Sequence, residues 1–136
     1  MTVINHIIEE LQCVLDRQGR VKIPEKLMQE MLEMENPEEL IEPVLKLIES
    51  NPNVNFGTPG ILVLFLESLY DCGYEELLIE SVLRSPTAHN IWMLHRCYND
   101  EKDKRHESYR KTIEQLRASD SLSQNTRNLI DRYQWD

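Results

Sequence analysis

Four histidines, His6, His89, His95 and His106, are the chain's best candidates for metal or acid–base chemistry, and their spacing argues against both. A structural zinc site needs three or four ligands converging at short intervals. His89 and His95 are six residues apart, about 240° around a helix, and His95 and Cys97 diverge as well. His6-x-x-Glu9 has no second Glu-x-x-His to complete a carboxylate-bridged metal pair. Nucleophiles fare no better. Ser68, Ser81 and Ser85 lack the Gly-x-Ser-x-Gly turn that presents a catalytic hydroxyl. Cys72 precedes Gly73 at the carboxyl end of an expected helix, the wrong pole for a thiolate. Gly57-Thr58-Pro59-Gly60 lacks the lysine of a phosphate-binding loop. In Glu9-Glu10, Glu38-Glu39 and Glu75-Glu76 the neighbours point about 100° apart on a helix and do not converge on a substrate. The expectation is a protein that is not an enzyme, with no metal site and no cofactor.

Other residues suit recognition. Between Glu25 and Glu42 seven glutamates face a single base, Lys26. Residues 1–100 carry 17 acidic and 7 basic side chains, whereas residues 101–136 carry 7 and 8, within a net charge of −9. Such a surface repels nucleic acid and anionic membranes and speeds encounter with a basic protein. The expected partner-binding residues are therefore Glu33, Glu35, Glu38, Glu39 and Glu42. Tyr70, Asp71 and Tyr74 join them, because aromatics beside a carboxylate at a helix–helix turn make good interface anchors. Each choice has a plainer reading: a charge run is often a solvated helix face, and two tyrosines are often core. Trp92 and Arg96 are four apart, so the guanidinium can lie along the indole. Tyr133 and Trp135 either staple the last helix or dock a partner.

The elements that must position these residues read as helices throughout. Val3, Ile4, Ile7, Ile8, Leu11, Val14 and Leu15 give the first helix, Thr2 to Asp16, its apolar stripe. Gly19 ends it, GRVKIP connects, and Pro24 opens a second helix carrying Leu27, Met28, Met31, Leu32 and Met34. Asn36-Pro37-Glu38-Glu39 is a cap, first-turn proline and acidic third position, so a third helix should start there. Pro43 falls inside it and should kink it. SNPNVNFGTPG, residues 50–60, is the densest cluster of breakers. Helices four to six are expected over Pro59 to Tyr70, Tyr74 to Arg84 and Pro86 to Asn99, opened by Thr58-Pro59, broken at Gly73, and opened again by Ser85-Pro86. A charged seventh runs from Asn99-Asp100 to Arg117, and a last amphipathic helix presents Leu122, Leu129, Ile130, Tyr133 and Trp135. Glu38 to Ile41 echoes Glu75 to Leu78 at an offset near the period of helical-pair repeats.

The expected class is all-α: about eight short helices in an irregular bundle or a small HEAT-like solenoid. With 136 residues the chain suits a single helical domain over 1–136, with 50–60 dividing sub-units 1–50 and 57–136. The longest apolar run, Ile61 to Leu66, is far short of the roughly 20 residues of a membrane span. No secretory signal is visible at the amino end, and three scattered cysteines, Cys13, Cys72 and Cys97, make no disulfide framework. The expected compartment is the cytoplasm.

Gly-Thr-Pro-Gly at 57–60, Phe-Leu-Glu at 65–67, Gly-Tyr-Glu-Glu at 73–76 and Pro-Thr-x-His-x-x-Trp-Met-Leu at 86–94 form a string of short motifs. Across roughly residues 35–100 this pattern resembles small bacterial immunity proteins of polymorphic toxin and contact-dependent growth inhibition systems. The resemblance implies a cytosolic helical protein that binds one cognate toxin domain and neutralises it, by covering the active site or an exosite. Many such toxin domains are nucleases with basic active sites, which an acidic inhibitor suits. It implies no particular binding residues. The alternative is a helical-repeat adaptor within a cytosolic complex.

Overall fold

In a computed structural model the chain is all-α, with eight α-helices and no strand among the described residues, which are 3–16, 22–54, 60–100 and 102–135. The helices are α1 (Val3–Asp16), α2 (Glu25–Leu32), α3 (Ile41–Ser50), α4 (Ile61–Glu67), α5 (Tyr74–Arg84), α6 (Ala88–Tyr98), α7 (His106–Arg117) and α8 (Gln124–Asp131). The expected signals at Gly19 and at Gly57-Thr58-Pro59 lie outside the described residues. No described helix is long and apolar enough to cross a membrane. The chain divides into two compact units, Met1–Tyr74 and Glu75–Asp136, downstream of the breaker cluster at 50–60.

In the first unit α1 buries Ile7, Leu11 and Val14, and α2 buries Leu27, Met28 and Met31. α1 packs against both α2 and α3, and the buried side chains of α3 are Ile41, Val44, Leu45, Leu47 and Ile48. Each fully buried branched side chain contributes about 2 kcal/mol of transfer free energy, so this stripe-on-stripe packing dominates the unit.

One expected element is realised differently. Residues 37–50 are two elements, a 3₁₀ turn over Pro37–Leu40 and then α3. Pro43 has no N–H, so the carbonyl of Glu39 cannot accept the bond four residues on. The preceding turn therefore tightens, with Glu39 N–H bonding the Asn36 carbonyl at 3.1 Å. That places Pro43 in the first turn of α3, where a missing N–H costs nothing. The Asn36 side chain makes no cap bond.

The fourth helix also stops early. After Glu67 it runs out through three-residue turns, Leu69 N–H to the Leu66 carbonyl at 3.0 Å and Tyr70 N–H to Glu67 at 3.2 Å. The chain then reverses through Asp71 at φ 66° and Gly73 at φ 97°. Two left-handed residues, one of them not glycine, make this turn.

In the second unit α6 starts at Ala88, two residues later than the Ser85-Pro86 signal suggests, because Thr87 is the working cap. Thr87 Oγ1 accepts from Asn90 N–H at 3.0 Å, while Thr87 N–H donates to Asn90 Oδ1 at 2.8 Å. The buried Asn90 amide also donates to Ser81 Oγ and to the Ser85 carbonyl, fastening the end of α5 to the start of α6. The seventh helix starts at His106 and not at Asn99-Asp100. Asp100 and Asp103 instead accept from the N–H groups of Lys102 and Arg105, two residues on, which holds turns in place of helix. Ser123 caps α8 by accepting from Thr126 N–H at 3.1 Å. Arg127 donates to the Arg117 and Ser119 carbonyls and satisfies the end of α7.

Candidate protein-binding face

The acidic segment occupies the stretch from the end of α2 to the start of α3. Met31, near the end of α2, and Leu40, closing the 3₁₀ turn, are buried on the core side. Glu33, Glu35, Glu38, Glu39 and Glu42 are all exposed. Glu42 pairs with Lys46 one turn on at 3.0 Å, and Glu33 accepts from Gln29 Nε2 at 3.0 Å. Glu35, Glu38 and Glu39 take part in no ion pair among the described residues, so their field is uncompensated locally. Leu32, 59% exposed, lies at the edge of this segment and adds apolar area to it.

The second expected group is split by burial. Asp71 is exposed and Tyr70 half-buried, but Tyr74 is fully buried. Its ring packs against Tyr70 with centroids 5.7 Å apart. Tyr74 is therefore core and presents nothing to a partner, because the left-handed turn at Asp71 and Gly73 folds its side chain inward. Arg96 does lie over the half-buried Trp92 ring, 5.3 Å from its centre.

The histidines are scattered. His6 faces Glu30 at 3.9 Å, and His89 packs beside Trp92, where burial pushes its pKa down to about 4. His95 and His106 enter an aromatic cluster invisible in the sequence. His95 stacks on Tyr133 at 4.6 Å and meets Trp135 edge-on at 4.9 Å, while His106 stacks on Tyr98 at 3.9 Å. His95 Nε2 lies 2.9 Å from the Gln134 carbonyl, and the Trp135 indole donates to the Ile130 carbonyl at 3.0 Å. Burial lowers the His95 pKa, partly offset by that carbonyl. The cluster pins the residues after α8 to α6. Cys13 and Cys72 are exposed and Cys97 is buried. Among the described residues no group of three or more His, Cys, Asp or Glu is placed to hold a metal ion.

A buried ionic network also escaped sequence reasoning. Arg105 Nη1 reaches Glu75 at 3.0 Å and Asp103 at 3.4 Å, and its Nε donates to Glu76 at 2.9 Å. Tyr109 donates its hydroxyl to Asp103 at 2.6 Å, and burial together with that bond raises its pKa. Glu75 is only 1% exposed, and this guanidinium offsets part of the cost of burying its charge. The partners lie 29 and 30 residues apart, beyond the reach of any local spacing rule.

No family model matches this chain, and no curated protein and no solved structure matches it either.

Proposed function

We propose that this chain is an immunity-type inhibitor: a binding protein that lays the Glu33–Glu42 segment on a basic toxin domain and neutralises it by occlusion. The observation that carries the reading is the row of five exposed carboxylates over ten residues, of which only Glu42 has an ion-pair partner among the described residues. Uncompensated charge of one sign attracts a cationic partner from beyond contact distance and raises the association rate at low salt. A toxin domain that acts in the cytoplasm is met there by an inhibitor of this kind. The motifs at 57–60, 65–67, 73–76 and 86–94 contribute the toxin class; the charge contributes the sign of the partner's surface.

Affinity capture with the tagged chain, followed by mass spectrometry, supplies the partner. The expected partner is the carboxy-terminal domain of a large secreted protein, whose expression alone arrests growth and whose co-expression with this chain does not. Converting Glu38, Glu39 and Glu42 together to lysine is expected to slow association about tenfold at low salt and to flatten its salt dependence. An unchanged on-rate refutes the acidic face, and unrelieved growth arrest refutes inhibition.

A further inference from the structure

Between α1 and α3 lies a groove of about 400 Å³, floored by Ile4, Ile8, Pro43 and Leu47 and rimmed by Glu9 and Lys46. Ile4, Ile8 and Pro43 are only half-buried, so this packed helix pair leaves apolar surface open along its seam. Pro43 helps create the groove, since it starts α3 abruptly and puts a flat ring where a longer side chain would fill the gap. The groove is continuous with the acidic segment. Glu42, the last carboxylate of that segment, precedes Pro43, and its 3.0 Å ion pair is with Lys46 on the rim.

We propose that the groove takes the apolar face of an amphipathic, basic helix, which names the element that the acidic face recognises and rests on that reading. The dimensions fit. α3 is ten residues, about 15 Å long, and apolar anchors at i, i+3 or i+4, and i+7 of an incoming helix span about 10.5 Å. The charges fit as well. Lys46 is neutralised by Glu42, so the exposed Glu9 sets the sign of the groove's lining, and Glu38 and Glu39 lie in the acidic segment that leads into Pro43. Lysine or arginine on the polar face of the incoming helix meets those carboxylates while its leucine-like anchors cover Ile4, Ile8 and Pro43. The same rim repels an anionic lipid surface, which favours a peptide helix over a membrane.

The probe is a fluorescein-labelled 18-residue peptide with leucines at i, i+3, i+4 and i+7 and lysines elsewhere. Its control carries glutamate for every lysine. Anisotropy titrations with the full chain at low salt are expected to give at least tenfold tighter binding of the lysine peptide. Ile8→Asp and Ser50→Trp, the second crowding the groove from an exposed position, are each expected to weaken it at least tenfold. Ser50→Trp carries the test if Ile8→Asp lowers helicity by circular dichroism. Equal binding of both peptides, no binding of either, or unchanged binding to Ser50→Trp overturns the proposal. Growth protection separates this from the parent reading. Protection lost in the triple lysine variant but kept in Ser50→Trp overturns the groove alone. Lysine-peptide binding by a chain that neutralises no toxin upholds the groove and overturns the inhibitor role.

Discussion

Removing the guanidinium of Arg105 should destabilise the second unit far more than removing any surface charge. Arg105→Met keeps the aliphatic stem and deletes the charge that lies 3.0 Å from Glu75, a residue only 1% exposed. At that separation, with an effective dielectric constant of 20, the attraction is about 5 kcal/mol, and desolvation of both ions offsets much of it in the wild type. In the variant Glu75 keeps its desolvation cost and loses the Arg105 charge. Asp103 fares better, because the Arg105 N–H and the Tyr109 hydroxyl still donate to it. The expected loss is about 2–4 kcal/mol, the range for breaking a largely buried pair with some solvent access. Restoring neutrality with Glu75→Gln in the same chain should recover most of it. Arg110→Met is the control: its pairs with Glu107 and Glu114 are exposed and screened by solvent, and the expected loss is too small to resolve. Urea titrations followed by tryptophan fluorescence measure this directly, since Trp92 and Trp135 both belong to residues 75–136. A loss for Arg105→Met no greater than for Arg110→Met, or no recovery on adding Glu75→Gln, refutes the argument.

Asn90→Ala keeps the backbone N–H that Thr87 Oγ1 accepts but removes the returning Thr87 N–H to Asn90 Oδ1 bond and two further amide bonds of a fully buried side chain; a loss of about 2–3 kcal/mol is expected in the same titration. For His89 the folded pKa, about 4, lies below the unfolded value near 6.5, so the fold favours the neutral ring. Stability is whole above about pH 6.5 and falls as pH drops from there through 4. The loss is about 2 kcal/mol once the solvent reaching the half-buried ring is allowed for. His89→Leu should flatten that part of the profile, and an unchanged slope between pH 6.5 and 4 counts against it. At Gly73, φ 97° strains any side chain while an added Cβ meets nothing within 4 Å. Gly73→Ala should therefore cost about 1–2 kcal/mol by backbone strain alone, with thermal melting as the check.

Helices and their apolar stripes were legible because a 3.6-residue period shows in any window of a dozen residues. The buried faces of α1 and α3 follow from Ile7, Leu11, Val44 and Ile48 without reference to any neighbour. The acidic segment was legible from composition, since carboxylates are costly to bury unpaired and Glu33, Glu35, Glu38, Glu39 and Glu42 are all exposed. Helix starts were less legible where two signals competed. Asn36-Pro37 reads as a start and Pro43 as a kink within one helix, whereas the chain forms a 3₁₀ turn over Pro37–Leu40 and then α3. Ser85-Pro86 gave way to Thr87 because Asn90 answers Thr87 and nothing comparable answers Ser85 at the start of the helix.

Composition and local spacing by themselves determined an acidic, all-helical chain with its negative charge concentrated in the first hundred residues. Tertiary structure alone decided that Tyr74 is core, that Arg105 serves three carboxylates, and that His95 gathers with Tyr133 and Trp135. The physical reason is range. Helix phase and capping act over three or four residues and are written where they act. Burial and ion pairing depend on distances between segments about 30 to 40 residues apart, which exist only once the apolar stripes have met.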